Sequence, residues 1–450
     1  MALTPSQVDL LEDLHRKYDA QRFNDELMLR YYQGRQRVEQ LGMAIPPQMR
    51  RFLVVTNWCR MVVDTINDRQ QVRSLILPGE ETDDAHLRRI WNANNLSAHL
   101  RMFNVDRMVY GRAFFSVGAN EAAPDLPLIR VESPRQMVAQ VDPRREVVTA
   151  AARFFGNNDA DAGPTNVTLY EPNMTTHVAR RPGGKWAEVS RNEHRLGAVP
   201  VIVHLNRRQS GEWEGESELS DLIPLVDAAA RSLTNLQFAQ EAHGVPRMWM
   251  TGVARGDFID AEGKPIPQFE AYFDAIHTLS KEGARIGQLT AADLKNFETS
   301  MQIYRTEAAL RTGFPGRYFG NNTTNPPAEG AIRADEANLT RSVEAQNDQV
   351  GMTVGWTAAL ALRVATGDWV PGNRVAVDWF DPATPTVAQR EDALAKRRAV
   401  GVLSREGYWD ELGWSEARKA KERAYFDAEA SEGVLAQILK PGATNAPVGN

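Results

Sequence analysis

One long helical pattern in the last third of the chain constrains the fold more than any other feature. Residues 328–366 would form a helix about 55–60 Å long at 1.5 Å per residue. Apolar side chains repeat along it every eleven positions, at Ile332, Val343 and Val354 and again at Leu339, Val350 and Ala361. This period is typical of a long packed helix. Gly351 and Gly355 weaken its middle by about 1 kcal/mol each relative to alanine, which predicts a bend there.

A loop of Gly, Asn, Thr and Pro, "RYFGNNTTNPPAEGAIR" at 317–333, leads into this helix. A Gly-rich loop at a helix N-terminus is a common phosphate-binding arrangement. The loop is not a Walker motif, because the pattern G-x-x-x-x-G-K-[ST] is absent and no lysine occurs from 296 to 395. The segment "GFPGRYFG" follows no convincing parallel strand, so a dinucleotide site is not predicted either. The loop is therefore not interpreted as a nucleotide-binding site.

Composition indicates a protein with a substantial core and without disulfides. The chain has 450 residues, of which 42% are hydrophobic, and its length suggests two to four structural units. No apolar run is long enough for a membrane span, and the first residues lack the layout of a signal peptide. Cys59, within "VVTNWCRMVV", is the single cysteine and is predicted to be a buried core thiol. We expect a protein of the reducing cytosol, or of a particle assembled there.

The net charge makes tight binding of nucleic acid improbable on physical grounds. The formal charge is −6 and the pI is about 5.9. Proteins that grip DNA through its phosphates are usually basic, because each neutralised phosphate needs a Lys or Arg. Any contact with nucleic acid is therefore expected to be weak and independent of sequence.

The N-terminal half reads as helices followed by an antiparallel β region, an α+β arrangement. Helical patterns cover 5–33, 49–69, 83–94 and 96–110, the last closed by Gly111. Short runs rich in β-branched and aromatic residues follow, separated by turn formers. These runs are "RAFFSVG", "LPLIRVES", "QMVAQVDP", "VVTAAARFF", "NVTLYEP", "TTHVARR", "KWAEVSR" and "VPVIVHLNR".

The second half begins with a helix–insertion–helix sequence. Residues 219–244 form a helical pattern, with Asp221 as its expected N-cap and Pro224 in its first turn. An insertion with the strand-like pieces "RMWMTG" and "ARIGQL" follows, and a helix at 291–312 returns. In a lone monomer this projection would expose an apolar stripe, which neighbouring copies could cover. One strand, "RVAVDWF", the final helices and a disordered tail complete the chain.

The sequence shows no catalytic constellation. Neither H-E-x-x-H nor G-x-S-x-G occurs, and we predict no cofactor. Asp257, Asp260 and Glu262 in "DFIDAEGK" have the wrong spacing for an EF-hand loop, and a hairpin turn is the favoured interpretation. A metal-assisted phosphate hydrolase built on these carboxylates stays open as an alternative. The stripes around Trp58, Trp91 and Trp356 are interpreted as core rather than as a cofactor site.

Several long phrases resemble the portal (head-to-tail connector) proteins of long-tailed bacteriophages, especially phages of actinobacterial hosts. The resemblance runs from about Tyr31 to Trp414. The phrases that carry it are "YYQGRQRVEQLGMAIPPQMRRFLVVTNWCRMVVDTI", "MVYGRAFFSVG", "IRVESPRQMVAQVDPR", "ELSDLIPLVDAAARSLTNLQFAQEAHGVPRMWM" and "AIRADEANL".

The resemblance implies a non-enzymatic protein of the virion, assembled in the host cytoplasm into a dodecameric ring at one capsid vertex. Double-stranded DNA would pass through the ring during packaging and ejection, without sequence-specific contacts and without a membrane. The implied partners are other copies of the chain, the terminase large subunit, the scaffold and major capsid proteins, and the head-completion (neck) proteins. A capsid adaptor that binds protein partners without enclosing DNA is a further alternative.

The resemblance assigns the parts of the portal fold to consecutive stretches of this sequence. The implied parts are an α/β wing (1–216), a first stem helix (217–244), a small β-containing clip (245–290), a second stem helix (291–313), a tunnel loop (314–328), a long bent helix (329–366), a connection between wing and crown (367–414), and a helical crown with a flexible tail (415–450). Pro327 and Gly330 loosen the start of the long helix relative to the family pattern.

The resemblance also implies roles for individual residues. Neutral side chains of the tunnel loop would lie near DNA, each hydrogen bond contributing about 1 kcal/mol or less; these are Asn321, Asn322, Thr323, Thr324 and Asn325. Four cations of the stem would line the channel wall or pair between subunits, namely Arg231, Lys295, Arg305 and Arg311. The clip would dock partners through Asp257, Asp260, Glu262 and Lys264.

Overall fold

The computed structural model describes residues 3–36, 54–156, 163–181, 184–244, 248–252, 283, 285–288, 294–321, 329–370, 375–383 and 387–438. Helices and antiparallel sheets both contribute, so the predicted α+β class is confirmed. The chain divides into two compact units, Met1–Pro382 and Ala383–Asn450, and each is considered by itself.

Four helices open the first unit: α1 (Pro5–Gln33), α2 (Trp58–Asp68), α3 (Ala85–Ala93) and α4 (Leu96–Tyr110). Thr4 caps α1 in a capping box with Gln7, and the left-handed Gly34 ends the helix. Gly111, at φ 76°, ends α4. The predicted helices at 5–33, 83–94 and 96–110 are confirmed.

Helix α2 is shorter than the predicted helix at 49–69. Residues 54–57 are not helical, and Asn57 caps the helix by accepting a hydrogen bond from the backbone N–H of Arg60 at 3.2 Å. An Asn side chain in this position competes for the backbone groups that would extend the helix toward the N-terminus. The prediction of a helix through 54–57 was therefore wrong, and residues 49–53 lie outside the described chain.

The predicted antiparallel β region is confirmed, and it forms two sheets. Strands β2 to β9 are Arg112–Gly118, Leu128–Glu132, Met137–Asp142, Val147–Phe155, Asn166–Glu171, Met174–Arg180, Trp186–Glu193 and Val201–Leu205. The order β3-β2-β9 gives a three-stranded sheet, and β4 to β8 give a five-stranded meander in chain order. Helix α1 packs on the meander through Leu11 and Leu14, both at most 2% exposed.

Two further strand pairs join distant parts of the chain. Strand β1 (Val72–Ile76), which the sequence did not indicate, pairs with β12 (Ala376–Trp379). The strand-like pieces of the insertion form β10 (Met248–Thr251) and β11 (Arg285–Gln288), which pair with each other as antiparallel strands.

Helices α5 (Ile223–Gly244), α6 (Lys295–Thr312) and α7 (Glu329–Thr366) follow the predicted order, with a 3-10 turn (Gly316–Phe319) before α7. Asp221 is not the N-cap of α5, because the helix begins two residues later; the Asp221 carboxylate instead lies 3.6 Å from Arg207.

Helix α7 is one unbroken helix of 38 residues. A Cβ added at Gly351 would lie 3.4 Å from the Trp379 indole nitrogen, so this glycine lets β12 approach the helix. A bend at Gly351 and Gly355 stays a prediction.

Most predicted core residues are buried, with one exception. Trp58 and Trp91 are 9% and 3% exposed, but Trp356 is 43% exposed, so its assignment to the core was wrong. Trp356 lies one turn after the exposed Met352 on the outer side of α7. Cys59 is fully buried, and burial raises the pKa of its thiol to about 12. It is the core thiol that the sequence predicted.

A buried ion pair links α1 to the three-stranded sheet. The Arg112 guanidinium donates to both carboxylate oxygens of Asp25, at 3.0 and 2.7 Å. The nitrogen that makes the 2.7 Å bond also donates to the Pro134 carbonyl at 3.0 Å. Bidentate geometry with extra hydrogen bonds is what a buried pair needs to offset desolvation.

The second unit contains α8 (Val387–Ala399), α9 (Arg405–Glu411) and α10 (Glu416–Ile438). Trp409 stacks on Trp414 and on Phe426, with ring centroids 5.7 and 5.8 Å apart. The Lys419 amine contacts Asp410 and Glu416. The final helices are thus confirmed, while the predicted tail lies outside the described residues. Across the described residues, no helix is both long and apolar enough to cross a bilayer.

We predict that Asp106 makes stability depend on pH. Burial raises the pKa of its carboxyl to about 7, and the charge of Arg112 opposes this. This pKa lies above that of Asp106 in the unfolded chain. The contribution of Asp106 to the free energy of unfolding is therefore fully present below about pH 4 and is lost as the pH rises through 7. Asp106→Asn should therefore stabilise the protein more at pH 8 than at pH 5, by roughly 1–3 kcal/mol, in urea unfolding.

The matched control for this prediction is Asp9→Asn on the exposed side of α1. It should give the same small change in unfolding free energy at both pH values. An Asp106→Asn effect that does not grow with pH would contradict a raised pKa at Asp106.

Candidate functional site

The segment that leads into the predicted DNA-contacting loop is packed on the body of the first unit. Phe314 and Phe319 are 5% and 3% exposed. The Phe319 ring meets Trp58 of α2 edge to face, with centroids 5.7 Å apart. The described part of the predicted tunnel loop, residues 314–321, is therefore a fixed base rather than a free projection.

A charged cluster, which we call the loop-base cluster, ties this turn to the start of α7 and the end of α2. It consists of Arg69, Arg317, Tyr318, Asp335 and Glu336. Arg317 contacts Glu336 and donates to Asp335 at 2.9 Å. Arg69 donates to the Tyr318 hydroxyl at 2.9 Å and lies 3.6 Å from Glu336. The Arg69 and Glu336 side chains are only 8% and 12% exposed, so their ion pair forms largely out of water.

Of the five loop residues predicted near DNA, the structure describes only Asn321. Its side-chain amide donates to the Thr306 hydroxyl of α6 at 3.4 Å, and its backbone N–H donates to Gly316. Asn321 thus closes the base against α6. Asn322, Thr323, Thr324 and Asn325 lie outside the described residues, and their contact with DNA stays a prediction.

The four predicted stem cations lie along α5 and α6. Arg311 donates to the Asp221 carbonyl at 3.3 Å, and Arg305 lies beside Gly320 at the loop base. Arg231 is half-buried on α5. Burial raises the pKa of the Asp227 carboxyl, and the charge of Arg231 opposes this increase. Lys295 begins α6. Their place on a channel wall or between subunits stays a prediction.

The clip carboxylates Asp257, Asp260 and Glu262, together with Lys264, lie outside the described residues. Within the described ranges, no group of three or more His, Cys, Asp or Glu side chains could hold a metal ion. The paired strands β10 and β11 lie at the edges of the insertion that is predicted to be the clip.

Sequence reasoning missed a buried polar seam between α7 and the body. We define this seam as Gln70, Arg107, Gln346 and Asn347. Arg107 is 1% exposed. Its guanidinium donates only to amide oxygens, those of Gln70 at 2.6 Å, Gln346 at 2.9 Å, Asn206 at 2.9 Å and Asn104 at 3.2 Å. The Gln70 amide in turn donates to Asn347 at 2.9 Å.

Arg107 stays charged at neutral pH although it is buried. Burial lowers the pKa of Arg107 to about 10, and the nearby Glu218 carboxylate opposes this. His204, which lies 2.9 Å from the Thr353 hydroxyl of α7, is held neutral because burial and Arg107 lower its pKa to about 3. The one sequence signal for the seam was polar Gln346 and Asn347 interrupting the apolar stripe of α7.

Apolar side chains remain exposed on the helices around the loop base. Ile303 and Leu310 of α6 are 55% and 72% exposed, and they are seven residues apart on one helix face. Phe238 of α5 is 47% exposed. We call these three exposed side chains of α5 and α6 the apolar stripe. A continuous stripe that neighbouring copies would cover stays a prediction.

We predict that Glu336 holds the loop base. Glu336→Gln removes the carboxylate shared by Arg69 and Arg317 and should weaken the 3-10 turn by roughly 1–3 kcal/mol. Amides of residues 314–321 should exchange with deuterium correspondingly faster. Asp335→Asn is the matched control, because Asp335 is 50% exposed and its pair with Arg317 should contribute at most about 1 kcal/mol. Equal exchange in both variants would contradict a dominant role for Glu336.

Comparison with known proteins assigns the family. Residues 11–434 match the SPP1 Gp6-like phage portal proteins. The portal protein of Mycobacterium phage D29 is 33% identical over 418 residues, which cover 90% of this chain and 85% of that protein. The portal protein of Mycobacterium phage L5 is 32% identical over 417 residues, with the same coverage.

Solved structures of gene transfer agent (GTA) particles are also similar. A chain in the neck of the native GTA particle, computed with C12 symmetry, has 15% identity and a TM-score of 0.45, covering 79% of this chain and 89% of that chain. The family match and the two mycobacteriophage relatives confirm the resemblance read from the sequence. The chain belongs to the SPP1 Gp6-like family of phage portal proteins and is a structural, non-enzymatic component of the virion.

Proposed function

We propose that the protein assembles into a dodecameric ring at one vertex of the capsid and that double-stranded DNA passes through its centre during packaging and ejection. The family assignment supports the portal role. The observation that carries the ring is the exposed apolar stripe of α5 and α6, formed by Phe238, Ile303 and Leu310.

The stripe favours contact with another copy of the chain. Burying one such side chain contributes about 1.5–3 kcal/mol, so leaving three in water is costly for an isolated subunit. Contacts between unlike surfaces of identical subunits close into a ring when the rotation permits. The stem cations Arg231, Lys295, Arg305 and Arg311 would then lie at the subunit contacts or on the channel wall.

The charge pattern supports a channel that DNA can slide through. The chain is acidic overall and has no lysine from 296 to 395. The loop from Asn322 to Asn325 offers only neutral hydrogen-bonding groups. A ring of lysines there would release counterions from DNA and bind it tightly, whereas an acidic ring with neutral loops disfavours sticking.

The clip, residues 245–290, is the proposed docking site for the terminase motor and later for the neck proteins, through Asp257, Asp260, Glu262 and Lys264. Scaffold and major capsid proteins would surround the ring in the shell. The family assignment argues against the hydrolase alternative. A capsid adaptor without a DNA channel is the second candidate, and a central pore in the assembled particle discriminates the two.

We predict that wild-type protein forms rings of about a dozen subunits with a central hole, seen by negative-stain microscopy and native mass spectrometry. Ile303→Glu combined with Leu310→Glu should raise the concentration needed for assembly at least tenfold, a change of about 1.4 kcal/mol per contact. Ile303→Leu with Leu310→Ile keeps the apolar surface and should assemble normally.

Three outcomes would count against these proposals. A wild-type protein that stays monomeric at every salt concentration would contradict the ring. Solid particles without a hole would favour the adaptor. Normal assembly of the double glutamate variant would show that the stripe is not the subunit contact.

We also predict that deleting residues 322–325 leaves ring assembly intact but impairs DNA packaging or retention. Asn321 is kept in this design because it closes the loop base. As an opposite control, Asn322→Lys with Asn325→Lys should make rings bind DNA more tightly, with a steeper dependence on salt. A deletion that prevents ring assembly would show that the loop is a structural element.

A further inference from the structure

Helix α1 carries polar side chains at core-facing positions in its second half. Leu11, Leu14 and Met28 belong to its buried face and are at most 8% exposed. Helical spacing places Gln21 and Asp25 on the same face between them. Both polar residues line a cavity, which lies between α1, the strands β2, β4 and β9, and the connection that follows β9.

The cavity is large enough for a small molecule. About 240 Å³ of it is open to the centre of a water-sized sphere, whereas one water needs about 10–15 Å³ by this measure. Much of the lining is apolar and includes Phe114, Val138, Val203 and Trp213. Small-molecule sites in proteins combine such a lining with a few polar groups that orient the ligand.

The wall formed by the connection after β9 is held in place. The guanidinium carbon of Arg208 lies 3.9 Å from the centre of the Trp213 ring, and Arg208 donates to Glu146 at 2.9 Å. A Cβ added at Gly215 would lie 1.8 Å from the Gly111 carbonyl oxygen, so only glycine permits this close approach of two backbone segments. A wall that is fixed before binding reduces the entropy lost on binding.

Two groups of opposite charge line the cavity without an ion pair. Asp25 and Arg112 also line it, but they bind each other. The amine of the half-buried Lys17 donates to the Ala139 carbonyl at 3.0 Å, and neither this amine nor the exposed Glu214 carboxylate forms an ion pair with the residues that the structure describes. Burial lowers the pKa of the Lys17 amine; the charge of Glu214 opposes this, and that of Arg112 adds to it. A cation partly removed from water without a carboxylate partner favours an anionic group beside it.

We propose that this cavity binds a free amino acid with an apolar side chain. The ligand carboxylate pairs with Lys17, its ammonium group faces Glu214, and its side chain packs on Trp213 and Phe114. A free amino acid carries both charges, whereas each terminus of a polypeptide carries only one. The site lies within one chain, so the proposal goes beyond the proposed ring and does not depend on assembly.

The test titrates the full-length protein with three ligands, followed by saturation-transfer NMR at about pH 6.5, where α-amino groups stay charged. Phenylalanine carries both charges. N-Acetylphenylalanine keeps only the carboxylate, like a C-terminal residue, and phenylalaninamide keeps only the ammonium group, like an N-terminal residue. Phenylalanine should bind about tenfold more tightly than phenylalaninamide, because Lys17 is half-buried, and about threefold more tightly than N-acetylphenylalanine, because Glu214 is exposed.

Three variants separate the two ends of the ligand. Lys17→Met keeps the length of the side chain and should remove the preference for phenylalanine over phenylalaninamide. Lys17→Arg is the matched control, which keeps the charge and should retain this preference. Glu214→Gln should remove only the preference for phenylalanine over N-acetylphenylalanine. Near-UV circular dichroism checks that each variant is folded.

Three results would overturn the proposal. Absence of saturable phenylalanine binding to the wild-type protein would leave the cavity to water. Equally tight binding of either single-charge ligand would show that a free amino acid is not what the site selects. Unchanged preferences in folded Lys17→Met would place the bound amino acid elsewhere on the protein. Glu214 is exposed, so unchanged preferences in Glu214→Gln would contradict the pairing even if Lys17→Met failed to fold.

Discussion

The buried guanidinium of Arg107 is the interaction on which the arrangement of the first unit depends. A dry positive charge is tolerated only when its N–H groups are satisfied. Here the acceptors are Asn104 in the same helix, Gln70 after α2, Asn206 after β9 and Gln346 in α7. These acceptors come from four parts of the chain, so the compensated charge joins those parts to one another. Through Gln346 it ties α7, the helix that follows the loop base, to the body of the first unit.

Local patterns were sufficient for most of the elements. The capping box at Thr4 and the glycines at 34 and 111 mark helix ends through the backbone itself, so they can be read without the fold. Strand β1 could not be read this way, because its five residues gain strand character only by pairing with β12, some 300 positions later. The assignment of Trp356 to the core was wrong for a related reason. The helical period predicts which residues share a face, but only the packing of the folded chain decides which face is buried.

The candidate site was predictable in composition and not in geometry. Neutral loop residues and the missing lysines are visible in the sequence, and so is the helix–insertion–helix order with its apolar stripe. The loop-base cluster is not visible in the sequence. Arg69 lies about 250 positions before Tyr318 and Glu336, and no residue spacing predicts their contact. The seam is an intermediate case. Gln346 and Asn347 visibly break an apolar stripe, yet their partners are defined only by the fold.

The placement of charge in this chain fits a protein that must be rigid and yet not adhere to DNA. Three arginines make their contacts in the interior: Arg112 with Asp25, Arg69 with Glu336, and Arg107 with four amides. A guanidinium held in this way is not available to neutralise phosphates, and it therefore releases no counterions from DNA. The residue type through which many proteins bind DNA thus stabilises the interior of the first unit here. The loop proposed to contact DNA, residues 322–325, instead offers neutral amides and hydroxyls. Their hydrogen bonds to phosphate exchange readily with those of water, because each contributes so little net free energy.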